Sequence, residues 1–436
     1  MTFLIYTPKL TNRVRYIFEF IFEELLGINI NFTTDIDEFI SFHGRKINYS
    51  KHPISEELFI QSSSLLLENG IKNITIEMGY FQGIRVPFAT KHDKSLFPFD
   101  PFAASFYLLS RYEEYLPFTE DNHGRFPARE SLAYKNAFLK KPVINYWAIE
   151  LEKIILARYT DLKLLKRKYK AIITYDIDIA YCYKYKGFLR NVGGFLRALY
   201  YSDWNDVRDR MNVLSGKIPD PYNTYQWQND QCIYPDMEVI YFFLLSEYGK
   251  FDKNISYESS YYQRLIQDIS DKYTIGIHPS YQSNFDLKTF KNEIALLSEI
   301  TKRAINRSRQ HYLKLRFPDT YSRLIDNGIT KDYTMGYADE IGFRAGVASS
   351  FWFYNLNQEN KTSLRIYPFY IMDVTLQYYM QLDPEEAIQY SQLIIDEVKK
   401  VNGLMTTLWH NHSLSEYKEW KNWLPVYQHI LHAINN

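Results

Sequence analysis

The sequence predicts an α/β fold: a small unit of short strands and helices, then a longer half built on a parallel sheet, open or closed into a barrel. Three observations predict it. From Lys168 to the C-terminus, short apolar runs alternate with helical segments, the pattern of parallel strands joined by crossovers. The clearest of these runs, Ala171–Thr174 and Val239–Leu245, are short, continuous and rich in Ile, Val and aromatic residues, as buried strands are. The first 160 residues also mix short strands with helices, and a charged connection, Tyr159–Arg167, separates them from the rest.

In chain order, Phe3–Tyr6 reads as a first strand. Thr11–Leu26 follows as a helix, with Val14, Ile17, Phe18, Ile21, Phe22 and Leu25 on one face and Gly27 closing it. Short strands are expected at Ile28–Thr34, Ile47–Tyr49, Leu58–Ile60 and Ile74–Met78. Asp100 followed by Pro101 is an N-cap with proline at the first helical position, and that helix is expected to run to Pro117. Arg111, Glu113 and Glu114 near its end read as a solvated charge cluster. Asp121–Arg129 reads as a polar loop and Pro142–Arg158 as an amphipathic helix. The domain boundary therefore falls between residues 1–160 and 161–436.

The second half is expected to hold a long mixed helix reaching about Leu214, helices at Ser259–Lys272, Leu287–Ile305 and Thr320–Asp326, and extended pieces at Thr274–Ile277, Ser308–Leu315 and Tyr367–Met372. Tyr333–Phe343 reads as a turn and a strand. Asp383 with Pro384 caps a helix to Lys400, Gly403 ends it, and Leu404–Trp409 is a last strand leading into His410.

Composition excludes several classes of function. Lys plus Arg and Asp plus Glu both total 51, so no net charge draws the whole surface to nucleic acid or to an anionic membrane. The densest basic cluster, Lys163–Lys170, reads as a linker. Only two cysteines exist, Cys182 and Cys232, with no Cys-x-x-Cys pair, so neither a disulfide framework nor thiolate zinc ligation is expected. The first residues read as a strand rather than a signal peptide, and no window is apolar enough to span a membrane. A soluble, cytoplasmic protein is the expectation. Tyrosine is abundant, at 39 residues; it suits sugars and flat ligands, and it also fills cores while keeping one polar tip.

In parallel α/β folds the reactive groups collect where strands end at their C-terminal edge. That rule singles out Asp176 and Asp178, His278, Arg309 and His311, and His410 and His412. Asp176 and Asp178, at i and i+2, share a face of a straight strand; like charges so close need a cation or a shared proton. One carboxylate plus neutral imidazoles is the ligand set of a catalytic zinc or a related divalent metal, with positions left open. A second carboxylate could then act as base, an opposing histidine as acid, and Arg309 could hold the basic carboxylate.

The order of these pieces resembles the polysaccharide deacetylase (NodB-homology, carbohydrate esterase family 4) superfamily. Thr174-Tyr175-Asp176-Ile177-Asp178 resembles its first motif in an Asp-x-Asp form, and Gly276-Ile277-His278-Pro279-Ser280 its second. Ser308-Arg309-Gln310-His311 sits where an arginine motif belongs, and Leu408-Trp409-His410-Asn411 resembles the last motif. Asp332 with Tyr333–Asp339 is similar to a further segment, and Gly342-Phe343-Arg344-Ala345-Gly346 would place Arg344 along the cleft. The resemblance covers residues 168–436. It implies an irregular (β/α) barrel of about seven strands, with Asp176 as general base, Asp178 and His278 as metal ligands, and His410 as general acid. Zinc is the first choice of metal, then cobalt or manganese.

One departure stands out: the second motif usually carries another histidine four residues on, and position 282 is Gln. His311, two residues after Arg309, is the candidate to replace it. The main expectation is a hydrolase removing N- or O-acetyl groups from a carbohydrate. The alternatives are a non-catalytic barrel that binds carbohydrate or a partner protein, and a glycosyltransferase whose Asp-x-Asp holds Mn²⁺ and a sugar nucleotide. The Phe97–Tyr107 stretch resembles an uncharacterised domain that precedes such barrels.

Overall fold

The computed structural model describes residues 2–162, 164, 167–231 and 237–436; Cys232 and part of the Lys163–Lys170 cluster lie outside them. Residues Thr2–Tyr6 (β1), Asn29–Thr33 (β2), Lys46–Ser50 (β3) and Leu58–Gln61 (β4) form a parallel sheet in the order β2-β1-β3-β4. The expected strand at Ile74–Met78 instead begins at Met78. It is one arm of a hairpin, Met78–Phe81 (β5) with Ile84–Pro87 (β6). Gln82 and Gly83, both at positive φ, make the two-residue turn whose twist suits a hairpin.

Asp100 caps the next helix as expected, accepting from the amides of Phe102 and Ala103, and every residue of Pro101–Leu109 is buried. The helix stops earlier than Pro117 because Arg111 turns into the left-handed region at φ +53°. That turn sends Arg111, Glu113 and Glu114 inward. They are buried rather than solvated: Arg111 pairs with both glutamates, and Glu114 also pairs with Arg344. Arg344 therefore does not line the cleft; its remaining nitrogen donates to the Gly336 carbonyl.

The larger sheet holds Lys170–Ile177 (β7), Met237–Phe243 (β8), Thr274–Ile277 (β9), Arg307–Ser308 (β10), Lys331–Asp332 (β11), Phe351–Asn355 (β12), Asn360–Ile366 (β13), Ile371–Met372 (β14) and Leu404–His410 (β15). Their order is β12-β13-β11-β10-β9-β8-β7-β15-β14, and every pairing is parallel except β12 with β13. Among the described residues the sheet thus has nine strands rather than about seven, and no ladder joins its two ends. The hairpin β12–β13 was not expected, whereas Tyr333–Phe343 holds no strand and Ser308–Leu315 pairs only at its start. The long helix expected before Leu214 is two, Phe188–Tyr200 and Trp204–Leu214.

Close packing of β8 to β10 rests on Gly276 in β9. A Cβ there would meet the Phe242 ring at 2.5 Å and the Arg307 carbonyl at 2.9 Å. One apolar core runs through both halves of the chain. Tyr16 and Phe106 from the first half both pack on Tyr354, and the Tyr16 hydroxyl donates to the Trp352 carbonyl, so β12 is covered by the N-terminal helices. No helix among the described residues is long and apolar enough to cross a membrane.

Candidate active site

The strands β7, β9, β10, β14 and β15 all end at one edge, and the acids and histidines singled out in the sequence meet there. Asp176, the last residue but one of β7, pairs in register with His410 of β15. Two residues on, Asp178 leans over the same edge. Its Oδ1 lies 3.1 Å from His278 Nε2 and its Oδ2 lies 3.3 Å from His311 Nε2. Ligand atoms of these three residues all fall within 4.8 Å of one another.

The outer nitrogens of both rings are fixed. His278 Nδ1 donates to the Arg309 carbonyl at 2.6 Å, and His311 Nδ1 donates to Asp252 Oδ1 at 2.8 Å. A carbonyl only accepts, so Nδ1 carries a proton and Nε2 is the ring nitrogen left to ligate a metal. Such outer-nitrogen bonds are how metal-binding histidines are oriented. Two ligand atoms each about 2.0–2.1 Å from a tetrahedral zinc stand about 3.3 Å apart, close to the two separations found here. Residues Asp178, His278 and His311 therefore fit a divalent metal. Burial opposes charge on His311, but Asp178 and Asp252 on its two sides push its pKa up to about 9. Burial likewise opposes the charge of Asp178, yet His311 and His278 hold its carboxyl well below the usual range. A metal would take the place of the His311 proton.

Asp176 lies on one flank, buried. Its Oδ1 accepts from Arg309 Nη1 at 2.8 Å, while Oδ2 is 3.7 Å from His278 Nε2. Arg309 also donates to Thr174 Oγ1 and the Tyr333 carbonyl and packs on the Phe242 ring. It is fully buried and does not line the cleft, so it positions Asp176 rather than touching a ligand. On the other flank stands His410, whose Nε2 is 3.5 Å from Asp178 Oδ2. Its Nδ1 donates to Asp373 Oδ1 at 2.8 Å, and Asp373 Oδ2 accepts from the His410 amide and from Ser413. Burial works against charge on His410, but Asp373 pushes its pKa up to about 10. His412 also lines the cleft; burial and the neighbouring His410 push it down to about 4.

Gln282, where a ligand histidine was expected, sits in a short turn and faces a separate cavity. Three contributors escaped the sequence reading. Asp252 and Asp373 were unmarked acids, although each follows a strand toward the reactive edge, which was the available signal. Arg125 comes from the loop read only as polar. It lines the cleft, held by Asp121, the Tyr312 carbonyl and the Tyr379 hydroxyl. The cleft encloses about 240 Å³. Beside Asp178, His278 and His311 its floor is apolar, built from Leu313, Ala338, Met372, Val374 and Leu408.

Residues 3–160 match the model of a family of unknown function, DUF7033. No curated protein matches the chain. Among solved structures, a protein of Mycobacterium smegmatis assigned as a polysaccharide deacetylase aligns at 12% identity and a TM-score of 0.39, over 63% of this chain and 86% of its own. The polysaccharide deacetylase Bc1974 of Bacillus cereus aligns at 11% identity and a TM-score of 0.29, over 61% and 87%. A protein of Pseudomonas aeruginosa PAO1 assigned to the same activity aligns at 8% and 0.37, over 61% and 83%.

Proposed function

We propose that the protein is a metal-dependent hydrolase that removes an acyl group, acetyl above all, from a nitrogen or oxygen of a carbohydrate. The observation that carries this reading is the convergence of Asp178, His278 and His311 between a buried carboxylate, Asp176, and an imidazole paired to a buried acid, His410 with Asp373. The barrel of the resembling superfamily fits the same reading. Between β13 and β14 the amides of Tyr367 and Phe369 donate to the carbonyls of Asp332 and Met335, and that of Tyr370 donates to the carbonyl of Thr406, so this segment runs from the side of β11 to that of β15.

Asp178, His278 and His311 would hold the metal, zinc by preference and cobalt or manganese as alternatives. When bound it supplies a Lewis acid for the acyl carbonyl and raises the acidity of water. Asp176 takes the water proton at Oδ2, since Arg309 occupies Oδ1. The water oxygen bonds to the acyl carbon. His410 then gives its Nε2 proton to the departing nitrogen or oxygen as the bond to the acyl carbon breaks. Asp373 keeps that imidazole protonated and oriented. The products are a short-chain acid and a sugar amine or hydroxyl. The apolar floor around Leu408 and Met372 suits a methyl group, and Tyr312 and Tyr379 at the wall suit a sugar face. A sugar-nucleotide transferase would leave His278, His311 and His410 without a role.

Deacetylation of acetylated sugars with added Zn²⁺ or Co²⁺ tests the reading. Asp176→Asn should lower the rate by roughly 10²–10⁴-fold, the contribution of a positioned base. Undiminished activity in that variant would remove Asp176 from the mechanism.

A further inference from the structure

Outside the lining of the cleft, the helix Phe188–Tyr200 is inside out. Its inward face is Asn191, Gly194, Phe195 and Ala198, and Gly194 packs so tightly that a Cβ would stand 2.6 Å from the Arg210 guanidinium. Its outward face is Phe188, Leu189, Val192, Leu196, Leu199 and Tyr200, all exposed, with Phe188, Leu189 and Tyr200 at 81%, 83% and 82%. Tyr201 and Trp204 extend the patch, Trp204 at 67%. A surface helix ordinarily turns its apolar stripe to the core, and a contiguous exposed apolar patch marks an interaction site.

Along the chain the charge is one-sided as far as Ser202. Between Tyr183 and Ser202 stand Lys184, Lys186, Arg190 and Arg197, with no Asp or Glu, and no carboxylate among the described residues pairs with any of the four. Acidic residues resume at Asp203, which caps the following helix. Arg190 pins the helix to the body: it donates to the carbonyls of Asn254 and Lys253 and packs on Tyr248. Lys253 lines the cleft, so the helix is fastened beside the wall of the candidate active site.

An apolar face of Phe, Leu, Tyr and Trp rimmed by cations is the composition of a helix lying in the plane of an anionic bilayer surface. The zero net charge of the chain does not oppose this, because salt screens charges beyond about 10 Å and only the local patch is felt. We propose that residues 184–204 bind the surface of an anionic membrane, the apolar face lying among the lipid headgroups and Lys184, Lys186 and Arg197 meeting their phosphates. Attachment is peripheral, and it brings the cleft to the membrane surface.

Sedimentation of the full chain with vesicles tests this. Vesicles of equal parts phosphatidylglycerol and phosphatidylcholine should carry the protein down, and vesicles of phosphatidylcholine alone should carry far less. The variant Leu189→Glu/Leu196→Glu changes only exposed positions, so its melting temperature should match wild type. Its binding to the anionic vesicles should fall by tenfold or more, on the order expected from losing two apolar side chains and adding two repelled charges. Tryptophan fluorescence should shift to the blue on vesicle binding in wild type, and less in Trp204→Phe. The proposal is overturned if wild type stays in solution with anionic vesicles, or if the double variant binds them equally well. It is also overturned if wild type is a dimer that ignores vesicles and becomes a monomer in the double variant, which would assign the face to a second copy.

Discussion

Asp252 touches the candidate metal centre only through His311, which makes it a sensitive place to perturb the site. Its Oδ1 accepts from His311 Nδ1 at 2.8 Å and from the Tyr281 amide at 3.0 Å, and the residue is buried. Asp252→Asn can keep an oxygen toward both donors and removes only the charge. Asp252→Ala removes the acceptor as well, leaving the imidazole free to turn. Loss of such an outer partner weakens metal binding by about 10–100-fold, equal to about 1.4–2.7 kcal/mol. The asparagine variant should fall near the lower figure and the alanine variant near the upper. His278 gives the internal contrast, since its outer nitrogen is held by a backbone carbonyl that neither variant alters. Titration of Zn²⁺ against a chromogenic chelator measures the effect directly. If Asp252→Ala binds zinc within about twofold of wild type, His311 is not a ligand held by Asp252 and the orientation argument fails.

Two further outcomes follow from buried charge. Burial pushes Glu293 from its ordinary 4.5 up to about 7, so the folded state holds that proton more tightly than the unfolded chain. The sign is therefore a loss of stability as pH rises from about 4.5 to 7, of up to about 3 kcal/mol. Glu293→Gln, which can still accept from the Ser280 amide, should lose less between pH 5 and 8 in urea unfolding; parallel profiles for the two proteins would refute it. Arg344→Met leaves Glu114 buried with only Arg111 as a charged partner, and should cost about 3–5 kcal/mol in the same measurement. A cost under about 1 kcal/mol would show the network to be dispensable.

The strand-end rule made most of the site legible. Asp176, Asp178, His278, Arg309 and His410 each end or follow a strand, and chain order alone places such residues at one edge of a parallel sheet. His311 was legible as a substitute for position 282 because it follows the neighbouring strand. Its partner Asp252 was not, since an aspartate in a loop between aromatic and basic residues looks like any turn. Asp373 was within reach of the same rule, directly after the extended piece expected at Tyr367–Met372, but no histidine or second acid beside it marked it out. The buried Arg111–Glu114–Arg344 network was misjudged for a different reason. Charges at a helix end are usually solvated, and only the left-handed turn at Arg111 and a partner 230 residues away reverse that. In the fold, capping signals placed the helices after Asp100 and Asp383, and the apolar period placed the one that begins at Leu287. The hairpin β12–β13 lacked any marked turn dipeptide, and its edge position is settled by tertiary contact with Tyr16 and Phe106.

Metal binding by the purified full chain decides whether this site is a metal centre at all. Wild-type protein stripped with chelator and titrated with Zn²⁺ should take up one equivalent per chain. His311→Ala should lose most of that affinity, while Gln282→Ala should bind as wild type does. A wild type that takes up no metal, or a His311→Ala variant that binds as tightly as wild type, would contradict the ligand set and the hydrolase built upon it.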